Sequence, residues 1–285
     1  MYDVIIIGAG PAGASASLYT HRANLKTLIL YREEGALEKT NQIENYYGFA
    51  DGISGKKLYE AGIQQAKNIG VEVRKEEVTN IQFTEKGFNV ITENSRQEAK
   101  AIILATGNKK KKPKIKGIED FEGKGVSYCA VCDGFFYRNR SVSVIGNGNY
   151  AISEVNELIN LAGDITILTN GEKAPEFRAD NVVIDTKEID SIEGENTVQF
   201  IKFKDGSEIE TEGVFIAEGM AGSIDFAKKL GVMVDSNKII VNEKMETNVK
   251  GIYACGDCTG GFLQIAKAVY EGMTAGTEVI QYIRK

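Results

Sequence analysis

The chain has 285 residues, a formal net charge of -6, 42% hydrophobic and 26% charged residues, and 31 glycines. This composition is typical of a globular α/β protein, and the length is sufficient for two domains. The negative balance argues against general nucleic-acid binding, because no excess of cations is present to neutralise phosphates. No apolar run reaches the length of a membrane span, and no basic segment precedes the first apolar run. We therefore expect a cytoplasmic protein that binds neither nucleic acid nor membrane.

A dinucleotide-binding pattern opens the chain. The apolar residues 4–7 predict a buried parallel strand, and Gly8-Ala9-Gly10-Pro11-Ala12-Gly13 follows at once and begins a helix. In such a turn Gly8 permits the bend, Gly10 lets the backbone approach a pyrophosphate, and Gly13 allows close helix–strand packing. The next strand, residues 26–31, ends near Glu33 and Glu34, one of which would hold the adenosine ribose. The alternative is a glycine turn without a ligand.

The pattern changes after residue 70. Short alternating segments at 71–73, 78–83 and 88–92 are separated by turn-forming residues and predict an antiparallel meander inserted into the first α/β unit. A further apolar strand, residues 101–105, runs into Thr106-Gly107, where small residues let the backbone approach a ligand.

Six lysines lie within residues 109–116, around Pro113. In a chain of net negative charge this is a concentrated basic patch on an extended connection. It is either a solvated linker or a docking site for an acidic partner.

The segment Cys129-Ala130-Val131-Cys132-Asp133 has the parts for dithiol–disulfide exchange, with a carboxylate next to the second thiol. The same spacing is also found in half of a zinc site and in pairs of inert buried thiols. The one histidine, His21, is far from the cysteines in sequence. The thiol chemistry would therefore use a carboxylate or water as its proton donor.

A second strand–glycine–helix unit follows. Residues 141–145 predict a strand, Gly146-Asn147-Gly148 a glycine turn, and residues 151–162 a crossover helix with one apolar face. The next strand, residues 165–168, ends in Thr169-Asn170-Gly171, without an arginine for a 2′-phosphate or an acid at the strand tip for a 2′-hydroxyl. A Rossmann-like domain that has lost its nucleotide is thus at least as good an interpretation as one that binds it.

The C-terminal third contains a predicted hairpin, with Asp205-Gly206 between strands at 198–204 and 208–211. A strand then ends in Cys255-Gly256-Asp257-Cys258, and a long helix at about 263–283 closes the chain. For this second C-x-x-C pair we favour two buried thiols over a zinc site, which would have to join distant segments, so we predict no metal. An auxiliary redox role for the pair is the other alternative.

With these motifs in order, the whole chain resembles the low-molecular-weight thioredoxin reductases. The motifs that carry the resemblance are Gly8-Ala9-Gly10-Pro11-Ala12-Gly13, Ala105-Thr106-Gly107, Cys129-Ala130-Val131-Cys132-Asp133-Gly134-Phe135-Phe136 and Gly256-Asp257. The resemblance implies an α/β homodimer with two Rossmann-like three-layer domains. The FAD domain would be split, 1–113 and 248–285, and would carry the β-meander, while residues 117–244 would form a middle redox-disulfide domain.

The resemblance also implies residue roles. Cys132 would meet the flavin, Cys129 would exchange with the disulfide of thioredoxin, and Asp133 would be the general acid. Asn45, Gln264 and Ile265 would lie near the flavin ring. The full set of implied FAD-binding residues is Gly8, Gly10, Ala12, Gly13, Glu33, Glu34, Asn45, Ala105, Thr106, Gly107, Gly256, Asp257, Gln264 and Ile265.

The second unit departs from the family. Where the family has a His-Arg-Arg segment for the NADPH 2′-phosphate, this chain has Thr169-Asn170-Gly171, and Tyr150 replaces a small residue of the glycine turn. The chain thus resembles a pyridine-nucleotide-independent branch that takes electrons from reduced ferredoxin, a small acidic protein that the lysine run would suit. NADH or NADPH as donor is the first alternative, and a flavin redox sensor without turnover is the second.

Overall fold

The computed structural model describes residues 1–107, 113–235 and 237–285. The chain forms two compact units, the first combining Met1–Lys109 with Gly222–Lys285 and the second comprising Lys110–Ala221. Each unit is built on a sheet with a parallel core. The predicted fold class, two Rossmann-like α/β domains of which the first is split in sequence, is confirmed.

The strands are, in chain order, β1 Tyr2–Ile7, β2 Thr27–Tyr31, β3 Glu72–Lys75, β4 Val78–Thr84, β5 Gly87–Thr92, β6 Arg96–Leu104, β7 Val126–Ser127, β8 Val142–Ile145, β9 Ile165–Leu168, β10 Val182–Asp185, β11 Ile189–Glu193, β12 Phe200–Phe203, β13 Glu208–Glu210, β14 Gly213–Ile216, β15 Val234–Asp235, β16 Lys238–Ile239 and β17 Ile252–Ala254. The α-helices are α1 Pro11–Arg22, α2 Gly55–Asn68, α3 Ala130–Asp133, α4 Asn149–Leu158, α5 Ser223–Lys229 and α6 Ile265–Arg284.

The sheet of the first unit has the order β3-β2-β1-β6-β5-β4, and β17 also pairs with β6. Strand β6 belongs to both the antiparallel and the parallel part of this sheet. Its first residues pair antiparallel with β5, and its last residues pair parallel with β1 and β17. Strands β1, β2 and β6 are almost completely buried where they pair in parallel, as expected of strands covered on both faces. The predicted meander is therefore β4-β5-β6, continuous with the parallel sheet.

Helices α1 and α6 pack unusually closely because small residues face each other. A Cβ atom added to Gly272 would lie 2.1 Å from the Ala12 carbonyl oxygen, and one added to Gly276 would lie 2.7 Å from the Ala16 carbonyl oxygen. No side chain fits between these backbones. This contact fixes the N-terminal turn of α1 next to the segment that precedes α6.

The second unit has a parallel sheet of order β10-β9-β8-β14-β7 and a separate antiparallel sheet β11-β12-β13. The glycine turn between β8 and α4 is the predicted second strand–glycine–helix unit. The predicted hairpin is confirmed, since β12 and β13 pair antiparallel with Phe200 opposite Glu210.

Two sequence expectations differ from the structure. Residues 71–73 were expected in the meander, but β3 pairs parallel with β2. The reason is helix α2, which the alternation pattern did not reveal and which makes β2-α2-β3 a parallel crossover. The second difference is the return to the first unit, which occurs at Gly222 instead of residue 248. Helix α5 belongs there because the Ser223 amide donates to Thr106 Oγ1 at 2.7 Å.

Within the residues that the structure describes, none of the helices combines the length and the hydropathy needed to cross a membrane.

Candidate active site: a redox disulfide and a dinucleotide cradle

Cys129 and Cys132 form a disulfide, with their Cα atoms 5.3 Å apart. Cys129 lies just before α3 and Cys132 within it. Cys129 is buried, with 3% of its surface exposed, whereas Cys132 is exposed. The disulfide therefore presents one sulfur to solvent and keeps the other within the second unit.

The backbone around the disulfide favours negative charge on Cys129. The Cys132 amide N–H donates to Cys129 Sγ at 3.2 Å. When the disulfide is reduced, a thiolate on Cys129 would make this hydrogen bond stronger and would be stabilised by it. The thiolate is the reactive form of cysteine.

Asp133, the predicted general acid, is held by Ser127. The Ser127 Oγ lies 2.6 Å from Asp133 Oδ2 and accepts a hydrogen bond from the Cys129 amide N–H at 3.1 Å. The charge of Asp133, after the larger effect of burial, raises the pKa of Tyr137. Ser127 thus links the carboxyl group to the backbone of the buried cysteine.

A second carboxylate contacts the start of α3. The Ala130 amide N–H donates to Glu154 Oε2 at 2.7 Å, and Glu154 is 1% exposed. Neither Glu154 nor Ser127 was among the predicted site residues. Glu154 could have been recognised, because it is an acid at the helical spacing of the buried residues Ala151, Val155 and Leu158.

In the first unit the glycine turn has two glycines that internal packing requires. Gly8 has φ +114°, and a Cβ atom there would lie 2.3 Å from the Ala105 carbonyl oxygen. A Cβ atom on Gly13 would lie 1.9 Å from the Gly8 carbonyl oxygen. Gly10 is different, because its φ is -70° and a Cβ atom there would meet nothing within 4 Å.

Gly256, a predicted residue of the C-terminal segment, belongs to a hydrogen-bonded network whose other members were not predicted. Glu271 Oε2 accepts hydrogen bonds from the Gly256 amide at 2.8 Å and from Thr259 Oγ1 at 2.9 Å, and pairs with Lys267 Nζ at 3.0 Å. Lys267 Nζ also donates to the carbonyl oxygens of Gly256 at 2.9 Å and Gly260 at 2.6 Å. Burial raises the pKa of Asp257, an effect that Lys267 opposes and Glu271 reinforces. An ion pair thus fixes the loop that carries Asp257.

The structure brings together several other predicted residues of the first unit. Asn45 Nδ2 donates to Gln264 Oε1 at 3.0 Å, across 219 residues of sequence. Thr106 Oγ1 lies 2.8 Å from the hydroxyl of Ser223, a residue that the sequence did not indicate. The remaining predicted residues lie at strand or helix ends of the same unit: Glu33 and Glu34 after β2, Ala105 and Gly107 after β6, and Ile265 at the start of α6. Glu34 is 3.8 Å from Lys75 Nζ.

Side chains near the second glycine turn and at the end of β9 make contacts within the second unit. A Cβ atom on Gly148, the counterpart of Gly10, would lie 3.5 Å from the Gly219 carbonyl oxygen. Tyr150 is 3% exposed, and its hydroxyl donates to the Tyr128 carbonyl oxygen at 3.3 Å. At the end of β9, Asn170 Oδ1 accepts from the Ile189 amide at 2.8 Å. The side chains at both positions are therefore engaged in contacts within the second unit.

Cys255 and Cys258 are free thiols, both buried, which confirms the predicted buried pair. Burial raises the pKa of both, that of Cys258 to about 12, so neither is a ready thiolate at neutral pH. Within 1–107, 113–235 and 237–285, no group of three or more His, Cys, Asp or Glu side chains is placed to hold a metal ion.

Comparison with known proteins identifies the family. The profile of the family described as pyridine nucleotide-disulphide oxidoreductase matches residues 2–272. The thioredoxin reductase of Listeria innocua is 36% identical, over 100% of this chain and 95% of the relative, and that of Aquifex aeolicus is 40% identical, over 90% and 85%. The chain belongs to the thioredoxin reductase family.

Two solved structures of this family are informative. The atypical thioredoxin reductase TRi from Desulfovibrio vulgaris Hildenborough has a TM-score of 0.93 and 40% identity, covering 100% of this chain and 98% of that one. A ferredoxin-flavin thioredoxin reductase from Clostridium acetobutylicum has a TM-score of 0.70 and 33% identity, covering 98% and 97%. The present thioredoxin reductase family member is a flavin disulfide oxidoreductase, and its cofactor is FAD.

The first glycine turn fits the pyrophosphate of FAD. Neither conformation nor packing requires glycine at position 10, so its missing side chain leaves the backbone open to a ligand. Helix α1 begins there with no acidic residue in its first turn and no capping hydrogen bond from a described side chain. Its first N–H groups are therefore available to phosphate oxygens. Packing requires glycine at positions 8 and 13, and Gly10 would be the position that faces the pyrophosphate of FAD.

Proposed function

We propose that this protein passes electrons from reduced ferredoxin, through FAD and the Cys129–Cys132 disulfide, to thioredoxin. Bound FAD supplies the two-electron reduction of the disulfide. The residues of this chain provide the disulfide, the proton donor and the cofactor cradle. Cys132 would receive the electrons from the flavin, Cys129 would exchange with thioredoxin, and Asp133 would exchange the protons.

The residues at the end of β9 carry the choice of donor. The second glycine turn itself does not decide it, because a Cβ atom on Gly148 would be in ordinary van der Waals contact with the Gly219 carbonyl oxygen, at 3.5 Å. Tyr150, which follows that turn, is buried and bonds the Tyr128 carbonyl oxygen, and Asn170 accepts a hydrogen bond from the Ile189 amide. Thr169-Asn170-Gly171 offers no cation to a 2′-phosphate. These contacts favour a donor other than NADPH.

The lysine run would serve as the docking site for an acidic donor. Lys109–Lys112 lie outside the described residues. Of the others, Lys114 is exposed, and Lys116 Nζ pairs with Asp190 at 3.1 Å. The structural neighbour whose name includes ferredoxin supports the same donor class. A charged docking site of this kind acts mainly on the association rate and weakens with salt.

The first rival is the same enzyme with NADH or NADPH as donor, since the glycine turn keeps its spacing at Gly146 and Gly148. The second rival is a flavin redox sensor without turnover, which the disulfide argues against. The expected homodimer and cytoplasmic location stay predictions.

An anaerobic titration distinguishes these functions. Holoenzyme is mixed with reduced ferredoxin, NADPH or NADH while flavin absorbance and thioredoxin thiols are followed. We expect bleaching by ferredoxin together with the appearance of thioredoxin thiols, and no bleaching by micromolar NADPH. Stoichiometric bleaching by NADPH would refute the ferredoxin proposal, and bleaching without thioredoxin thiols would favour the sensor.

The docking site has its own test. Alanine at Lys109, Lys110, Lys111 and Lys112 should slow flavin reduction by ferredoxin most at low salt, because screening already weakens the attraction at high salt. Alanine at Lys244, a lysine of the first unit paired with Glu278, is the control. Equal rates for the two variants at low salt would assign the run to a linker.

A further inference from the structure

The protein carries a buried hydroxyl that contacts both the backbone of Cys129 and the carboxyl group proposed to serve the disulfide. Ser127 is the last residue of β7 and is 7% exposed. Its Oγ atom is 2.6 Å from Asp133 Oδ2, accepts from the Cys129 amide at 3.1 Å, and lies 3.5 Å from the Cys129 carbonyl oxygen. Three groups of the active-site segment therefore converge on one hydroxyl.

A serine hydroxyl has one proton to donate and two lone pairs that accept. When Asp133 is ionised, its carboxylate can only accept, so Ser127 donates to Oδ2 and accepts from Cys129 N–H. When Asp133 is protonated, its O–H can donate to Ser127 Oγ. The serine proton is then free to turn toward the Cys129 carbonyl oxygen. The same atoms satisfy both states without moving the carboxyl group.

We propose that Ser127 is a positioning residue that holds Asp133 beside the disulfide in both of its protonation states, by reversing the direction of one hydrogen bond. The inference rests on the proposed function, in which Asp133 moves the protons of the thiol exchange. It adds that this exchange needs the serine hydroxyl as well as the carboxyl group.

The proton balance of the exchange shows why both states matter. Asp133 carboxylate takes the proton of the Cys129 thiol as the thiolate attacks the substrate disulfide and forms a mixed disulfide. The released substrate thiolate receives that proton from the Asp133 carboxyl group. Cys132 then attacks Cys129 Sγ, its proton passes to the second substrate thiolate by the same route, and the enzyme disulfide is restored. Asp133 is thus ionised and protonated twice in each turnover.

The test uses holoenzyme reduced chemically with dithionite, so that it does not depend on the identity of the natural donor. A single turnover is started with oxidised thioredoxin, and the rate of thiol appearance is recorded across thioredoxin concentrations. We expect Ser127→Ala to lose at least 10-fold in the limiting rate with an unchanged half-saturating concentration, since general acid–base catalysis contributes about 100-fold or more. Ser127→Thr, which keeps the hydroxyl, should recover most of the loss. Ser127 and Asp133 both line a cavity of about 1030 Å³.

Ser143→Ala is the matched control. Its hydroxyl is also buried in the second unit and bonds Thr211 Oγ1 at 3.2 Å, so the variant reports the loss of an ordinary buried serine hydroxyl. If Ser127→Ala does not fold, Ser127→Gly takes its place, because it removes the same hydroxyl. A Ser127 variant with the limiting rate of Ser143→Ala would overturn the proposal.

Asp133→Asn separates the two levels of inference. If the wild-type rate survives Asp133→Asn, the proposed role of Asp133 is wrong and the serine proposal falls with it. If Asp133→Asn is slow and Ser127→Ala costs the same factor in that background as in the wild type, Ser127 acts independently of Asp133. That result would overturn the serine proposal alone. We expect Ser127→Ala to cost less than 2-fold once Asp133 is replaced.

Discussion

Replacing Glu271 by glutamine should loosen the loop that carries Asp257 and thereby weaken FAD binding. Glu271 is 8% exposed and joins Lys267, the Gly256 amide and Thr259. Removing one partner of a buried ion pair costs about 3–5 kcal/mol. Glutamine keeps one carbonyl oxygen for the Gly256 amide, so the lower end applies, about 3 kcal/mol. If this whole free-energy cost falls on the loop conformation that binds FAD, the FAD dissociation constant rises about 100-fold.

The assay is flavin fluorescence on dilution of the holoenzyme, with thermal unfolding of the flavin-free protein measured in parallel. Glu278→Gln is the control, because Glu278 lies on the same helix as Glu271 and pairs at 3.1 Å with Lys244, whose side chain is 56% exposed. Such an exposed pair contributes less than about 1 kcal/mol. We expect Glu271→Gln to raise the dissociation constant between about 10-fold and 100-fold. A change below 3-fold, equal to that of the control, would refute the coupling of the ion pair to the cofactor loop.

Four further substitutions test other parts of the structure. Gly8→Ala should lower the free energy of unfolding by about 2–4 kcal/mol, because its Cβ atom would lie 2.3 Å from a carbonyl oxygen. Gly10→Ala should leave the free energy of unfolding of the flavin-free protein within about 0.5 kcal/mol of wild type yet weaken FAD binding. A destabilised flavin-free protein with unchanged FAD affinity would contradict the assignment of Gly10 to the pyrophosphate site. Burial raises the pKa of Asp257 from its ordinary value of 3.8. The ionised carboxylate therefore destabilises the folded state at pH values above the folded-state pKa, and this destabilisation is absent below pH 3.8, where the group is protonated in both states. Asp257→Asn should therefore stabilise the flavin-free protein at pH 7, in thermal unfolding, while weakening FAD binding; a lower melting temperature at pH 7 would contradict this. Cys129→Ser should keep flavin reduction by the donor and lose thioredoxin reduction, measured as thiol release, and full activity would exclude the assigned role.

Much of the fold could be predicted from local pattern. The apolar run before Gly8-Ala9-Gly10-Pro11-Ala12-Gly13 is strand β1, and the apolar run before Gly146 is strand β8. Such signals are readable because a strand buried on both faces must be apolar throughout, and a tight turn at positive φ needs glycine. The disulfide pairing at Cys129 and Cys132 was likewise expected from the motif and its family.

The partner of a strand was less predictable than the strand itself. Residues 71–73 alternate as an edge strand of a meander would, yet β3 pairs parallel with β2 through the crossover helix α2. The return to the first unit at Gly222 was also missed, because α5 is short and its decisive contact, Ser223 with Thr106, spans 117 residues of sequence. Composition does not record which distant surface a short helix covers.

The sequence by itself determined the chemistry available to this protein. It supplies a thiol pair next to a carboxylate, a glycine turn for a pyrophosphate, and a second strand–glycine–helix unit whose next strand ends without a cation for a 2′-phosphate. The tertiary structure decided which groups act on one another. It brought Ser127 into contact with Asp133 and the Cys129 amide, Glu271 with the Gly256 amide next to Asp257, and Asn170 with the Ile189 amide. The physical reason is that hydrogen bonds and ion pairs depend on distances of a few ångströms between atoms, and those distances are set when the sheets and helices pack.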